Sequence, residues 1–318
     1  GLNIRIFNEL QHTITGWPGG KPNADDSNRP ERAAPFPKRV LIFSPEPSHD
    51  VLAMGGTLRR LVEQGHDVTV AFQTSGNLAI PDDEAIAAAD LINDLASSIE
   101  SPDSAAAHFA AEARAQLLAK TGFEPDTPLV RRLKSRVRRN EARASLHGCG
   151  LSNEKIRFLD LGFYERGRYR AFSPDDADFE ALLALTREIA PHQIFVTGDR
   201  DDPSSITAIC FQLVRRVLAT VASEPWFADC RVWLYRGVET VWDAAEIDMA
   251  VPLSPRELAQ KSQAIFHHKS QRSQTPVSFG LREPWQQAEQ HNRNLGALYD
   301  DLGLANYEAI EAFQRWHP

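Results

Sequence analysis

The feature that most constrains this chain is a series of short, unbroken apolar runs separated by segments of helix length. VLIF (40–43), VTVAF (68–72), IFVTGD (194–199) and RVWLYR (231–236) are rich in β-branched and aromatic residues. A strand with one wet face alternates apolar and polar residues, whereas a strand buried on both faces of a parallel sheet reads as a continuous apolar run. Between the first two runs lie a loop, SPEPSHDVLAMGG, and a helical segment, TLRRLVEQG, with Gly65 as its stop. Strand, loop, helix and strand within residues 40–72 form a βαβ unit. The predicted fold is therefore α/β: a doubly wound, mostly parallel, Rossmann-like sheet with helices on both faces.

The rest of the chain fits around that sheet. Residues 2–12 carry apolar side chains at helical spacing, and 13–39 are rich in Pro, Gly, Asn and Asp. We therefore expect an N-terminal helix and irregular arm over 1–38, then one α/β domain over 39–318. Residues 82–148 read as mostly helical, 156–161 (IRFLDL) as a strand, and 175–190 and about 205–222 as helices. The C-terminal third reads as helical, with Ser254 as an N-cap. Ligands of open parallel sheets bind beyond the carboxyl ends of the strands. That rule singles out the loops at 44–55, 74–77 (TSGN) and 198–207.

Composition narrows the classes of function. A net charge of -8 argues against nucleic acid as a partner. No apolar run approaches the roughly 20 residues of a membrane span, and no signal-peptide pattern opens the chain. A cytoplasmic protein with a small-molecule ligand is expected. Cys149, Cys210 and Cys230 are too few and scattered for a disulfide framework or a CxxC metal site, and read as buried thiols. The chain opens on Gly1 rather than Met, which suggests a piece of a longer protein.

The frame VLIFSPEPSHDVLAMGGTLRRLVEQGHDVTVAF resembles the LmbE/PIG-L family of zinc-dependent de-N-acetylases of amino sugars. That family has a strand, a HPDDE-type loop, a Gly-Gly pair, a helix ending in GH and a second strand. Pro45, Pro47, Asp50, Gly55, Gly56, Gly65 and His66 fit the pattern. Through FLDLGFYERG, PHQIFVTGD, VWLYRG, AIFHHKSQ and YEAIEAFQRWH, the chain is similar to the C-terminal half of longer glucosamine-6-phosphate-deaminase-like bacterial proteins. The resemblance covers nearly the whole chain. It implies an amino sugar or sugar phosphate as ligand, and an N-terminal deaminase-like domain as a possible partner.

The same resemblance implies a metal-activated water, with a carboxylate as general base. Residue by residue, those positions are changed. The family's metal-binding His falls on Glu46, its base Asp on Ser48, its metal-binding Asp on His49 and its next acid on Asp50. On the later loop the third metal ligand falls on Thr207, and a second His on Ser204. A hydroxyl is a poor zinc ligand and a poor base at neutral pH.

Two readings stay open. In the first, the zinc site is degenerate, no cofactor is bound, and the domain keeps a sugar-binding or partner-serving role without hydrolysis. In the second, Glu46 and His49 still grip zinc or another divalent metal, with Asp202 or His268 as third ligand, and the chain is a hydrolase. The candidate catalytic residues are His49, Asp50 and His268. The candidate substrate-binding residues are Asn77, Arg138, Glu141, Asp199, Asp202, Gly55 and Gly56. Gly55 and Gly56 also read as a tight turn opening a helix, or as free N–H groups for an anion. Arg138 and Glu141 share a helix face at i, i+3 and read equally as a salt bridge. His192 precedes its strand and is excluded as a ligand. The tryptophans at 226, 233, 242, 285 and 316 read as core or interface aromatics. Arg131, Arg132, Lys134, Arg136, Arg138 and Arg139 form one basic helix, expected to be a solvated or interdomain face.

Overall fold

The computed structural model describes residues 2–25, 27, 29–99, 103–122, 124–168, 170–199, 201–240, 242–272 and 282–317. Its centre is β1 (Arg39–Ser44), which pairs in parallel with β2 (Asp67–Phe72) on one side and β4 (Gln193–Thr197) on the other. β3 (Ile156–Phe158) extends the sheet beyond β2, and β5 (Arg231–Tyr235) extends it beyond β4, both in parallel. Beyond β5 the direction reverses. β7 (Ala309–Trp316) runs antiparallel to β5, and β6 (Met249–Leu253) runs antiparallel to β7. The strand order is β3-β2-β1-β4-β5-β7-β6, a mostly parallel doubly wound sheet whose winding reverses between β1 and β4.

The unbroken apolar runs follow from that geometry, because successive side chains point to opposite faces and both faces are covered. Leu41, Phe43, Ile194, Val196, Val232 and Leu234 pack with α7 (Asp176–Ile189) and α8 (Ile206–Val221). Val40, Ile42, Val70, Phe72, Phe195 and Trp233 pack with α2 (His49–Glu63), α5 (Pro128–Gly148) and α9 (Pro255–Phe266) on the other side. A satellite cluster joins α3 (Asp82–Ser98) and α4 (Ala105–Ala119) to α5 through Ala85, Ala89, Ala110, Ala113 and Leu133. All three cysteines are buried and free.

The structure departs from the sequence expectations in four places. The C-terminal third is not wholly helical: it adds β6 and β7 around α9 and α10 (Pro284–Asp301). β6 carries Pro252, which cannot donate to a ladder, and it lies at the sheet edge, where that loss is tolerated. The strand expected over 156–161 stops at Phe158, since Asp160 turns into the left-handed region at φ +48. The strand expected over 194–199 ends at Thr197. Most consequentially, the first helix of the βαβ unit starts at His49, so Gly55 and Gly56 lie inside α2 rather than before it. A break at Met54 (φ -139, ψ 27) divides the helix just ahead of them.

The arm that follows α1 (Leu2–Thr13) packs at the amino ends of the central strands. Gln193 Nε2 donates to the Pro18 carbonyl at 2.9 Å, and the Lys38 backbone N–H to His66 Nδ1 at 3.0 Å. His192 sits at this end too, its Nδ1 accepting from the Arg39 backbone N–H at 3.0 Å. No helix among the described residues is long and apolar enough to cross a membrane.

Candidate functional site

At the opposite, carboxyl end of the sheet, the loops after β1 and β4 meet where the winding reverses. The β1 loop is held rigidly. Thr74 donates to the Pro45 carbonyl through its backbone N–H (3.0 Å) and its hydroxyl (2.8 Å). Ser48, at φ 101, turns the chain into α2 from the left-handed region. A non-glycine residue held there stores strain, a feature that concentrates at functional sites. The turn brings Glu46 Oε2 to 3.9 Å from His49 Nε2. Glu46 Oε1 accepts a hydrogen bond from the Tyr164 hydroxyl, on α6 (Gly162–Gly167), at 3.1 Å.

Arg138 reaches this loop from α5. Its Nη2 donates to the Pro47 carbonyl, its Nη1 lies 3.6 Å from Glu141 Oε2, and its Nε and Nη1 make no hydrogen bond among the described residues. The guanidinium is buried. Gly76, at φ +61, admits it: a Cβ there would sit 3.0 Å from Arg138 Nε and 3.0 Å from the Pro47 ring.

These side chains open onto a cavity of about 420 Å3. Its other walls include Thr197, Asp199, Thr207, Tyr235 and His268. Asp199 Oδ2 accepts from the Gly237 backbone N–H at 2.7 Å, and Oδ1 is buried without a partner among the described residues. Burial pushes the His49 pKa down, an effect the Glu46 carboxylate partly offsets. Burial, with Arg138 close by, pushes His268 well below the ordinary imidazole range. Both rings are thus neutral near pH 7, each offering one donor and one acceptor. At the mouth, Phe266 and Trp285 stack with centroids 5.3 Å apart.

Of the residues singled out in the sequence, the cavity gathers Glu46, Ser48, His49, Arg138, Asp199, Thr207 and His268. Others lie elsewhere. Asp50 is buried beneath the loop, its Oδ1 3.2 Å from the Ser44 hydroxyl and its Oδ2 without a partner among the described residues. Burial pushes its pKa up to about 6. Glu141 is turned to the backbone N–H and hydroxyl of Ser270, both at 2.7 Å. Asn77 lines a separate cleft. Asp202 is exposed and closes a local turn, accepting from the Ser204 N–H (2.9 Å) and hydroxyl (2.7 Å).

The Gly55–Gly56 pair is not a ligand anion site. The Gly56 and Thr57 N–H groups freed by the break at Met54 donate to the Glu311 carboxylate, at 3.0 and 2.6 Å. The glycines serve close packing, since a Cβ on Gly56 would lie 2.6 Å from Leu253 Cδ2. Sequence reasoning missed Tyr164, Tyr235 and the pocket position of Trp285. Tyr164 lies within the FLDLGFYERG segment, but nothing local to it announces a contact with residue 46.

The donor set does not fit a catalytic zinc, which takes three protein ligands plus water. Among the described residues no three His, Cys, Asp or Glu side chains converge as a metal requires. Ser48 and Thr207, where the resemblance implies the base and the third ligand, line the cavity with hydroxyls. The Thr207 hydroxyl is engaged with that of Ser205 at 2.9 Å.

Fold and cavity together define a Rossmann-like α/β protein with its pocket at the winding reversal. Residues 41–208 match the GlcNAc-PI de-N-acetylase (PIG-L) family, and the chain belongs to that family. It is 46% identical over 321 residues to a putative glucosamine-6-phosphate deaminase-like protein of Bacteroides thetaiotaomicron. The match takes in 100% of this chain and 48% of that protein, so the chain spans about half the length of its curated relative. Among solved structures, the N,N'-diacetylchitobiose deacetylase of Pyrococcus horikoshii is similar in fold (TM-score 0.53, 17% identity, 88% of this chain and 84% of that one). So is GalB, the 4-carboxy-2-hydroxymuconate hydratase of Pseudomonas putida (TM-score 0.54, 15% identity, 88% and 96%). One scaffold thus carries two different chemistries, and function has to be argued from the site.

Proposed function

We propose that this chain is a sugar-binding, non-hydrolytic member of the de-N-acetylase family. The observation that carries the reading is the side-chain set around the β1 loop. Glu46 and His49 stand as a pair beside the buried Arg138 cation, with hydroxyls at the base and third-ligand positions. Without a metal to lower its pKa, water is not an effective nucleophile toward an amide at neutral pH, and neither hydroxyl replaces that function.

The cavity is well suited to an amino sugar. Its lining holds four carboxylates (Glu46, Asp199, Glu239, Glu283) against two arginines (Arg138, Arg272), with neutral imidazoles, so its charge favours an ammonium group. Thr197, Thr207, Tyr235 and Gln271 add partners for sugar hydroxyls. The Phe266–Trp285 stack offers an apolar face for the ring. In a longer protein, the domain would present such a sugar beside a glucosamine-6-phosphate deaminase-like half.

Calorimetric titration of the metal-free protein with glucosamine, N-acetylglucosamine and glucose tests this reading. Glucosamine should bind tightest and weaken about tenfold in Asp199→Asn, the scale of one charged hydrogen bond. No acetate should be released from N-acetylglucosamine when zinc is added. Retention of close to one equivalent of zinc, with acetate release abolished by His49→Ala, would instead establish a rebuilt hydrolase centred on Glu46 and His49.

A further inference from the structure

A second cavity, of about 340 Å3, lies on the far side of Tyr164 from the first. One wall is a stripe of α5 carrying Arg131, Arg132, Ser135, Arg136 and Arg139. The other walls come from Ser75 and Asn77 after β2, and from Asp160, Tyr164 and Glu165 around α6.

The charge on this helix is unbalanced. α5 carries seven lysines and arginines against one glutamate, and that glutamate is turned to Ser270. Arg132 and Arg136 stand four residues apart, as do Arg139 and Arg143, spacings at which like charges destabilise a helix. Two cleft carboxylates compensate in part. Glu165 Oε2 accepts from Arg131 Nη1 at 2.9 Å, and Asp160 Oδ2 pairs with Arg139 Nη2. Arg132 and Arg136 have no carboxylate partner among the described residues. Arg132 instead lies over the Phe109 ring, 5.5 Å from its centroid. The lining is thus four cations against two anions, in a chain of net charge -8. The Nε atoms of Arg131 and Arg139 are buried and make no hydrogen bond among the described residues. A solvated basic face would leave its guanidinium groups in water, whereas here two are partly withdrawn into a concavity with donors to spare.

We propose that this cleft is a second ligand site, specific for the phosphate group of a small phosphate monoester. A guanidinium fork matches phosphate oxygens in pairs. The unbalanced pair at 132 and 136 supplies the charge of a dianion. Ser75 lines the cleft for the neutral part of the molecule, and the cavity has the volume of a sugar phosphate rather than the breadth of a protein interface. The site is independent of the amino-sugar reading of the first pocket, from which the Tyr164–Glu46 contact separates it.

The experiment is a titration of the purified chain, in about 0.15 M salt to screen loose charge attraction, with glucose 6-phosphate and inorganic phosphate, and with glucose as neutral control. Both phosphates should bind and glucose should not. The double variant Arg132→Glu/Arg136→Glu, which changes only exposed side chains, should weaken phosphate binding at least about tenfold while its circular dichroism stays that of the parent. His49→Ala, in the first pocket, should leave phosphate binding unchanged. Absence of phosphate binding would overturn the proposal and leave α5 as a face for another protein segment. Phosphate binding that survives the double variant, or that is lost in His49→Ala, would place the anion in the first pocket and overturn it equally.

Discussion

Asp50 shows how enclosure sets what a carboxylate can do. The carboxyl is buried against Ser44 with one oxygen unpartnered among the described residues, and its pKa is pushed up to about 6. A carboxyl whose folded-state pKa lies above its unfolded value stabilises the fold fully below that unfolded value, near 3.9, and the contribution disappears as pH rises through about 6. At pH 7 the buried charge is therefore a burden. Asp50→Asn should raise stability at pH 7 by as much as ~3 kcal/mol, with the gain shrinking towards zero at pH 4. Urea unfolding of both proteins at the two pH values reads the difference, and an equal gap at both would show that the carboxylate is not under stress. The neighbouring loop residues Glu46, Ser48 and His49 could be singled out in the sequence because the resemblance to an HPDDE-type frame numbers them. The enclosure of Asp50 could not be read there, because burial depends on how the loop folds back over β1.

Among the elements, α9 and β7 are joined by a fully buried ion pair whose carboxylate also holds α2. Lys261 Nζ donates to Glu311 Oε1 at 2.7 Å and to Asn292 Oδ1 at 2.8 Å, while the same carboxylate receives the N–H groups released at the helix break. Removing one partner of such a pair leaves an uncompensated buried charge, typically 3–5 kcal/mol. Glu311→Gln should cost about that much in chemical denaturation, whereas Glu308→Gln, at the exposed end of a pair with Arg293, should change stability by less than about 1 kcal/mol. Equal effects would mean that the buried pair adds nothing beyond its packing. The parallel strands were readable because both faces are covered and their runs are unbroken. β6 and β7 escaped notice because Pro252 interrupts one and Glu311 the other, and each exception has a tertiary cause: a sheet edge and a buried lysine.

For the molecule as a whole, the scaffold and the metal chemistry proposed to be missing from it can be separated by experiment. The pocket lies at the winding reversal and is lined by Glu46, Ser48, His49 and Thr207, where the resemblance would put the family's base and metal ligands. Supplying the family's donors should confer metal binding without altering the fold. Glu46→His with His49→Asp and Thr207→His should raise bound zinc from below about a tenth of an equivalent to near one, read by elemental mass spectrometry after dialysis. A folded variant that still rejects zinc would show that residue 207 does not stand where the third ligand must. The loops that follow β1 and β4, which line the pocket, were singled out from their place after two apolar runs. The pocket's partition from the arginine cleft was not legible there, since Tyr164 reaches residue 46 across 118 positions of sequence.

The placing of β7 bears on how the protein is made. Emerging from a ribosome, the chain exposes α2 some 250 residues before Glu311 arrives to receive the Gly56 and Thr57 N–H groups. β6, without β7, would meet neither β5 nor any other strand of the sheet. A nascent polypeptide halted before residue 309 therefore carries the whole family-matched segment, yet leaves the lower half of its pocket helix uncapped and the flank of β5 unpaired. Such an unfinished chain exposes an unpaired strand edge, which is a template for aggregation.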